Sequence, residues 1–148
     1  MTQTVLDISD LVTIKRVRTT GLEQGSLSMR TGDSVEWIVE YEAKKEVLGA
    51  NLTLHFRNLA EMLVASVDSG LGKKDFRLQV GRGDICMRIP FMSLTPGHYR
   101  VAVGFSVDGK WLAYKKCLLE IYIEQNEMNT YSGLLVMDAL YDDPIGVS

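Results

Sequence analysis

The stretch HYRVAVGFSVDGKW (residues 98–111) puts Tyr99, Val101, Val103, Phe105 and Val107 on one side of an extended chain. His98, Arg100, Ala102, Gly104 and Ser106 fall on the other side. A period of two is the mark of a half-buried strand, and Asp108-Gly109 directly after it is a strong signal for a two-residue hairpin turn. The same period recurs on both sides of this segment. Val35, Trp37, Val39 and Tyr41 alternate with charged or mixed positions, as do Leu52, Leu54 and Phe56; Ile85, Met87, Ile89 and Phe91; and Leu119, Ile121 and Ile123. Shorter candidate strands lie at 12–18, 27–30, 62–68 and 76–80. Thr31-Gly32-Asp33 and Pro96-Gly97 read as turns, and Gly70–Lys74 and Gly81–Asp84 as loops. No segment of ten or more residues carries a helical stripe. Eight to ten short strands predict an all-β chain: an immunoglobulin-like or jelly-roll β-sandwich of two antiparallel sheets.

At 148 residues the chain is sized for one domain with its own core. With 46% hydrophobic and 24% charged residues it is neither disordered nor fibrous. A net charge of −3 argues against general nucleic-acid binding. The charge is uneven: no Lys or Arg follows Lys116, whereas Glu120, Glu124, Glu127, Asp138, Asp142 and Asp143 do. No apolar run approaches the roughly 20 residues of a membrane-spanning helix, and no signal peptide is visible. The sandwich is expected over 1–124, with 125–148 a linker and a last strand of the same domain. Within that tail, 125–132 is polar and 133–141 (GLLVMDALY) is apolar again. The apolar part must pack on its own sandwich or on a second copy. Eight extended residues reach roughly 26–29 Å, far enough for a reciprocal exchange of strands in a two-fold dimer.

Catalytic signatures are missing. There is no GxxxxGK[ST] phosphate loop, no GxSxG elbow, and only His55 and His98 as histidines. Cys86 and Cys117 form no metal-binding spacing and read as reduced thiols. No metal and no cofactor is expected, and the chain reads as a non-enzyme. Arg82-Gly83-Asp84 reads as a turn between strands, and Asn51-Leu52-Thr53 as a chance glycosylation sequon. Trp37 shares its face with Val35, Val39 and Tyr41 and belongs to the core. Trp111, beside Lys110 and near Lys115 and Lys116, suits either stacking on a ligand or capping the end of the core.

In a sandwich of immunoglobulin-like order, the strand at 50–58 neighbours that at 98–107, which pairs with the strand after the Asp108-Gly109 hairpin. The outward residues are then Thr53, His55 and Arg57; Arg100, Ala102, Gly104 and Ser106; and Glu120 and Tyr122. Small side chains between longer polar ones predict a shallow polar trough. Such a trough suits a sugar, with Arg57 and Arg100 able to grip a carboxylate or phosphate. The candidate carbohydrate-binding set is Thr53, His55, Arg57, Arg100, Ser106, Trp111 and Tyr122; the alternative is an ordinary solvated sheet face.

TGDSVEWIVEYEA (31–43), LTPGHYRVAV (94–103) and CLLEIYI (117–123) resemble, in order, the opening strand, the L-x-P-G-x-Y strand and the closing strand of a known family. That family is the carbohydrate-binding C-terminal domain of Wzt-type ATP-binding subunits, which serve ABC transporters exporting lipopolysaccharide O-antigen. The resemblance spans about 11–141. It implies a sandwich that recognises O-polysaccharide, in some members at a modified non-reducing end. It also implies a cytoplasmic place at the inner membrane, contact with the transporter through an ATPase domain outside this chain, and dimers that exchange a C-terminal strand. The chain departs from the family at Asn58-Leu59-Ala60-Glu61, where many relatives turn with Asp-Gly, and this leaves the register of 62–68 open. Two rivals remain. An immunoglobulin-like protein-interaction or adhesion domain would use an apolar patch or an open strand edge. A sugar-active enzyme would need two carboxylates roughly 5–10 Å apart in a cleft.

Overall fold

The computed structural model describes residues 11–19, 27–70, 73–124, 135–136, 139–141 and 144–147. They form twelve strands and no helix: β1 (Val12–Thr19), β2 (Leu27–Arg30), β3 (Val35–Ala43), β4 (Val47–Asn58), β5 (Leu63–Asp68), β6 (Phe76–Leu78), β7 (Gly81–Ile89), β8 (Gly97–Val107), β9 (Lys110–Glu124), β10 (Leu135–Val136), β11 (Leu140–Tyr141) and β12 (Ile145–Val147). One sheet runs β1-β3-β7-β11, with β12 also on β7; the other runs β10-β5-β4-β8-β9-β2, with β6 on β4. This is the expected β-sandwich.

The alternating residues face each other between the sheets. Trp37 meets Phe56 edge-on at 5.6 Å, and Tyr41 meets Phe105 at 5.6 Å, each pair joining the two layers. Trp37, Phe56, Phe105, Leu52, Leu54, Ile85, Met87 and Ile89 are fully buried. The Trp37 indole N–H has no oxygen or nitrogen partner. Asp108 and Gly109 both take positive φ (50° and 78°), as a type I′ hairpin requires.

Four expectations are corrected. The sheets are not wholly antiparallel: β2 runs parallel to β9 and β10 parallel to β5. Runs this short carry no signal of direction. Gly81–Asp84 is no loop, because β7 starts there and pairs with β3 from Ala43↔Gly81 through Val35↔Ile89. Arg82-Gly83-Asp84 is therefore strand rather than turn. Gly83 is held beneath the Tyr41 ring, and a Cβ there would lie 2.5 Å from the Tyr41 hydroxyl oxygen. Finally, Phe91 does not continue the apolar face of β7: it is exposed, while Met92 is fully buried. The chain turns after Ile89, and the Met92 backbone bonds to Gly32 and Asp33 in the β2–β3 turn.

The open register after Asn58 is resolved. The Asn58 side-chain oxygen accepts from the backbone N–H of Ala60 and Met62. Glu61 takes φ 67°, and β5 pairs with β4 from Arg57↔Leu63 to Thr53↔Asp68. In the tail, β10 lies on β5 while β11 and β12 lie on β7, so the segment touches both sheets of its own sandwich. The residues 125–134 between β9 and β10 lie outside the described set. Cys86 and Cys117 are not joined in a disulfide.

Candidate functional site

The outer face of the larger sheet is built from β4, β8 and β9 in the expected order, with Arg57↔Arg100, His55↔Ala102, Thr53↔Gly104 and Asn51↔Ser106 as cross-strand partners. Strict alternation fails in β9. Phe105 pairs with Ala113 but Ser106 with Trp111, leaving Leu112 as an extra residue. A bulge re-aims the side chains that flank it. Here it brings Trp111 and Tyr114, three apart in sequence, onto the same face. A second, larger irregularity separates Val101↔Leu119 from Val103↔Lys115, and the exposed Lys116 and Cys117 lie within it.

The first bulge overturns the open trough. Ala102 is 1% exposed, and the space over Gly104 is filled by rings: a Cβ on Gly104 would lie 2.5 Å from Trp111 Cζ3 and 2.7 Å from Tyr114 Cδ1. Trp111 packs against Tyr114 (4.8 Å between centroids) and edge-on to His55 (6.1 Å), yet it remains 42% exposed. A half-exposed indole supported from below and from both sides is a platform for a flat apolar surface.

A relay of polar contacts runs along the edge of this platform. Arg57 donates to the Tyr114 hydroxyl oxygen at 2.8 Å, and that hydroxyl lies 2.9 Å from His55 Nδ1. A guanidinium only donates, so the Tyr114 oxygen accepts from Arg57 and its own hydrogen is free for His55 Nδ1. The His55 proton then sits on Nε2. Burial, reinforced by the Arg57 charge and opposed by Asp68, holds the His55 pKa below its ordinary 6.5. The unfolded chain therefore takes up this proton first, so the His55 contribution is complete above about pH 6.5 and is lost as the pH falls below it. Glu40 acts lower on the scale. Burial raises its pKa, but hydrogen bonds and charge from Arg18 and Arg16 outweigh burial and leave it below 4.5. Its contribution is present above 4.5 and lost further down. Melting temperature measured between pH 7 and 5 should therefore fall less steeply in His55→Asn, whose amide oxygen can replace Nδ1 as acceptor. Parallel curves for the two proteins would show that His55 does not titrate in this way.

Beyond the platform, the second irregularity of β9 borders an open depression of about 480 Å³ lined by Arg57, Glu61, Arg100, Lys116, Cys117 and Glu120. Arg100 is held by Glu61 at 2.7 Å and by Glu120 at 3.6 Å. Glu120 also meets His98 Nε2 at 2.9 Å, and His98 stacks on Tyr122 at 4.3 Å.

Of the seven residues read from the sequence, His55, Arg57 and Trp111 come together around Tyr114, with Ser106 beside Trp111 in the ladder. Arg100 lies across from Arg57 in the depression. Tyr122 is 41% exposed but at the far end of the face. Thr53 is on this face but only 2% exposed, with its hydroxyl on Asp68 at 3.2 Å, so it braces the sheet rather than offering a contact. Tyr114, Glu61 and Lys116 stand on this face but outside the set read from the sequence. Period-two reading turns Tyr114 away from Trp111, and only the pairing with β8 reveals the bulges. Among the described residues, no cluster of three or more His, Cys, Asp or Glu side chains could hold a metal, and no helix is long and apolar enough to cross a membrane.

No family model matches the sequence, and no curated protein does. Among solved structures the fold is similar to the C-terminal domain of Wzt, with a TM-score of 0.64, 10% identity, and coverage of 82% of this chain and 83% of that one. At this identity the likeness is one of fold: it supports the Wzt-like sandwich and assigns no site residue.

Proposed function

We propose that this domain is a non-catalytic polysaccharide reader that binds lipopolysaccharide O-antigen for export by an ABC transporter. The observation that carries the reading is the half-exposed Trp111 ring, laid over Gly104 and braced by His55 and by Tyr114, whose hydroxyl accepts from Arg57. A sugar presents an apolar face of ring C–H groups and a rim of hydroxyls. Trp111 offers a stacking surface for the first and Ser106 and Arg57 hydrogen bonds for the second, while Arg100, further along β8, would meet a neighbouring sugar of the polymer. The Wzt-like fold supports the same reading, as do the three sequence motifs. In this reading the domain works at the cytoplasmic face of the inner membrane, joined to its transporter through an ATPase domain, and pairs with a second copy through its C-terminal strand.

Titration with purified O-polysaccharide tests the proposal. Arg57→Ala, Arg100→Ala and Tyr122→Ala are each expected to weaken binding about two- to tenfold, with melting temperatures within a few degrees of the parent. Binding unchanged in all three removes this face from consideration. Polymer with and without its terminal cap separates recognition of the chain end from recognition of the repeat.

A protein-binding role has one observation in its favour. Leu59, Met62 and Leu63 are exposed together around the β4–β5 turn. Binding lost on Leu59→Ser and Met62→Ser, with glycan binding absent, would favour it.

A further inference from the structure

Arg57 and Arg100 stand directly opposite each other on β4 and β8. Like charges at that spacing destabilise a sheet, so packing alone does not account for the pair. The second irregularity of β9 then places Lys116 in the same depression. Three cations line it against two carboxylates, and the carboxylates are unevenly used. Both Glu61 and Glu120 lie on Arg100. Among the described residues the Arg57 guanidinium has the neutral Tyr114 hydroxyl as its hydrogen-bond partner and no carboxylate. No ion pair is formed by Lys116 among the described residues.

Glu61 reaches Arg100 from the β4–β5 turn through a left-handed backbone conformation (φ 67°), which non-glycine residues seldom adopt. Its carboxylate thus sits on one wall of a site whose other cations, Arg57 and Lys116, form no ion pair among the described residues.

We propose that this depression is an anion subsite, specific for a carboxylate- or phosphate-bearing sugar, and that Glu61 is the internal anion the ligand displaces from Arg100. This rests on the polysaccharide-binding reading and extends it: a ring on Trp111 and an acidic group between Arg57, Arg100 and Lys116 would occupy neighbouring parts of one face. Charge-assisted hydrogen bonds from a guanidinium fork suit both oxyanions. No bond is made or broken; one carboxylate leaves Arg100 as another anion arrives.

The test compares oligosaccharides ending in glucuronic acid, in glucose 6-phosphate and in glucose, with inorganic phosphate alone titrated in parallel and followed at the side-chain N–H signals of Arg57 and Arg100. Both acidic ends are expected to bind more tightly than the neutral one, the margin shrinking as salt rises. The uronate and phosphate arms separate the two sources of charge. Glu61→Gln is expected to raise the acidic-to-neutral preference roughly two- to fivefold, and Lys116→Gln to lower it by a similar factor. Glu61→Gly, which also relieves the left-handed strain, should behave as Glu61→Gln does; this separates charge removal from a distorted turn. Equal affinity for acidic and neutral ends, or a preference unmoved by either substitution, overturns the subsite while leaving glycan recognition standing. Phosphate that shifts the arginine signals while no saccharide binds would instead keep the anion subsite and sink the polysaccharide reading. No binding by any of these probes overturns both.

Discussion

Gly104→Ala is expected to abolish most glycan binding although residue 104 need not touch the ligand. The added methyl would sit 2.5 Å from Trp111 Cζ3, 2.9 Å from Trp111 Cε3 and 2.7 Å from Tyr114 Cδ1, inside any tolerable contact. The strand backbone beneath is held by neighbours on both sides, whereas Trp111 is 42% exposed, so the indole is the part that moves. Lifting it off the sheet removes the platform and pulls Tyr114 from His55 and Arg57. Overpacking of this kind costs about 1–3 kcal/mol of stability. Loss of one stacked ring costs about 2 kcal/mol of binding, roughly thirtyfold in affinity. Trp111→Ala should weaken binding by the same order with less effect on stability. The double variant should be less destabilised than the sum of the two singles, since removing the indole relieves the closest clash. If Gly104→Ala leaves both the Trp111 indole N–H signal and the affinity unchanged, the platform is not what binds sugar.

The second large effect is expected from the C-terminal tail. Truncation after Gln125 removes β10 from β5 and both β11 and β12 from β7, baring an edge of each sheet at once. It also removes Tyr141, whose ring meets Phe76 edge-on at 5.9 Å. Bared edges invite pairing with other chains. The truncated protein should be about 2–4 kcal/mol less stable, with a melting temperature roughly 8–15 °C lower, and should aggregate or run as a monomer. The same experiment bears on the proposed dimer. Within one chain the tail returns to its own sandwich; in the exchanged form the same strands would fill the same edges of a second copy, preserving the pairing while joining two molecules. Light scattering separates the cases. A clean dimer after truncation, or a full-length protein that stays monomeric at high concentration, rules out exchange through the tail.

Both short motifs of the sequence lie within the strand ladder. Arg82-Gly83-Asp84 does not protrude, because each of its residues pairs with β3 on one side and, through β12, with the tail on the other. Asn51-Leu52-Thr53 likewise lies in mid-strand with Thr53 buried. Tripeptides carry meaning through exposure, which three letters do not encode.

What could be read from residues alone is the part of the structure with a local cause. Alternation at 35–41, 52–56, 99–107 and 119–123 selects strands and assigns Trp37, Phe56 and Phe105 to the core, because a pleated chain sends successive side chains to opposite faces. Asp108-Gly109 names its own turn, because few residues accept positive φ. The neighbouring of β4, β8 and β9 follows from the expected sandwich order. Tertiary pairing decided the rest. Whether β2 and β10 run parallel, whether Gly81–Asp84 is strand or loop, and where β9 slips against β8 depend on what lies across the ladder. A single extra residue there reverses every face that follows. Leu112 is such a residue: it sets Tyr114 beside Trp111 and closes a trough that strict alternation leaves open. The irregularity around Lys116 and the left-handed Glu61 likewise assemble the charged depression from three strands and a turn, groups that no spacing along the chain brings together.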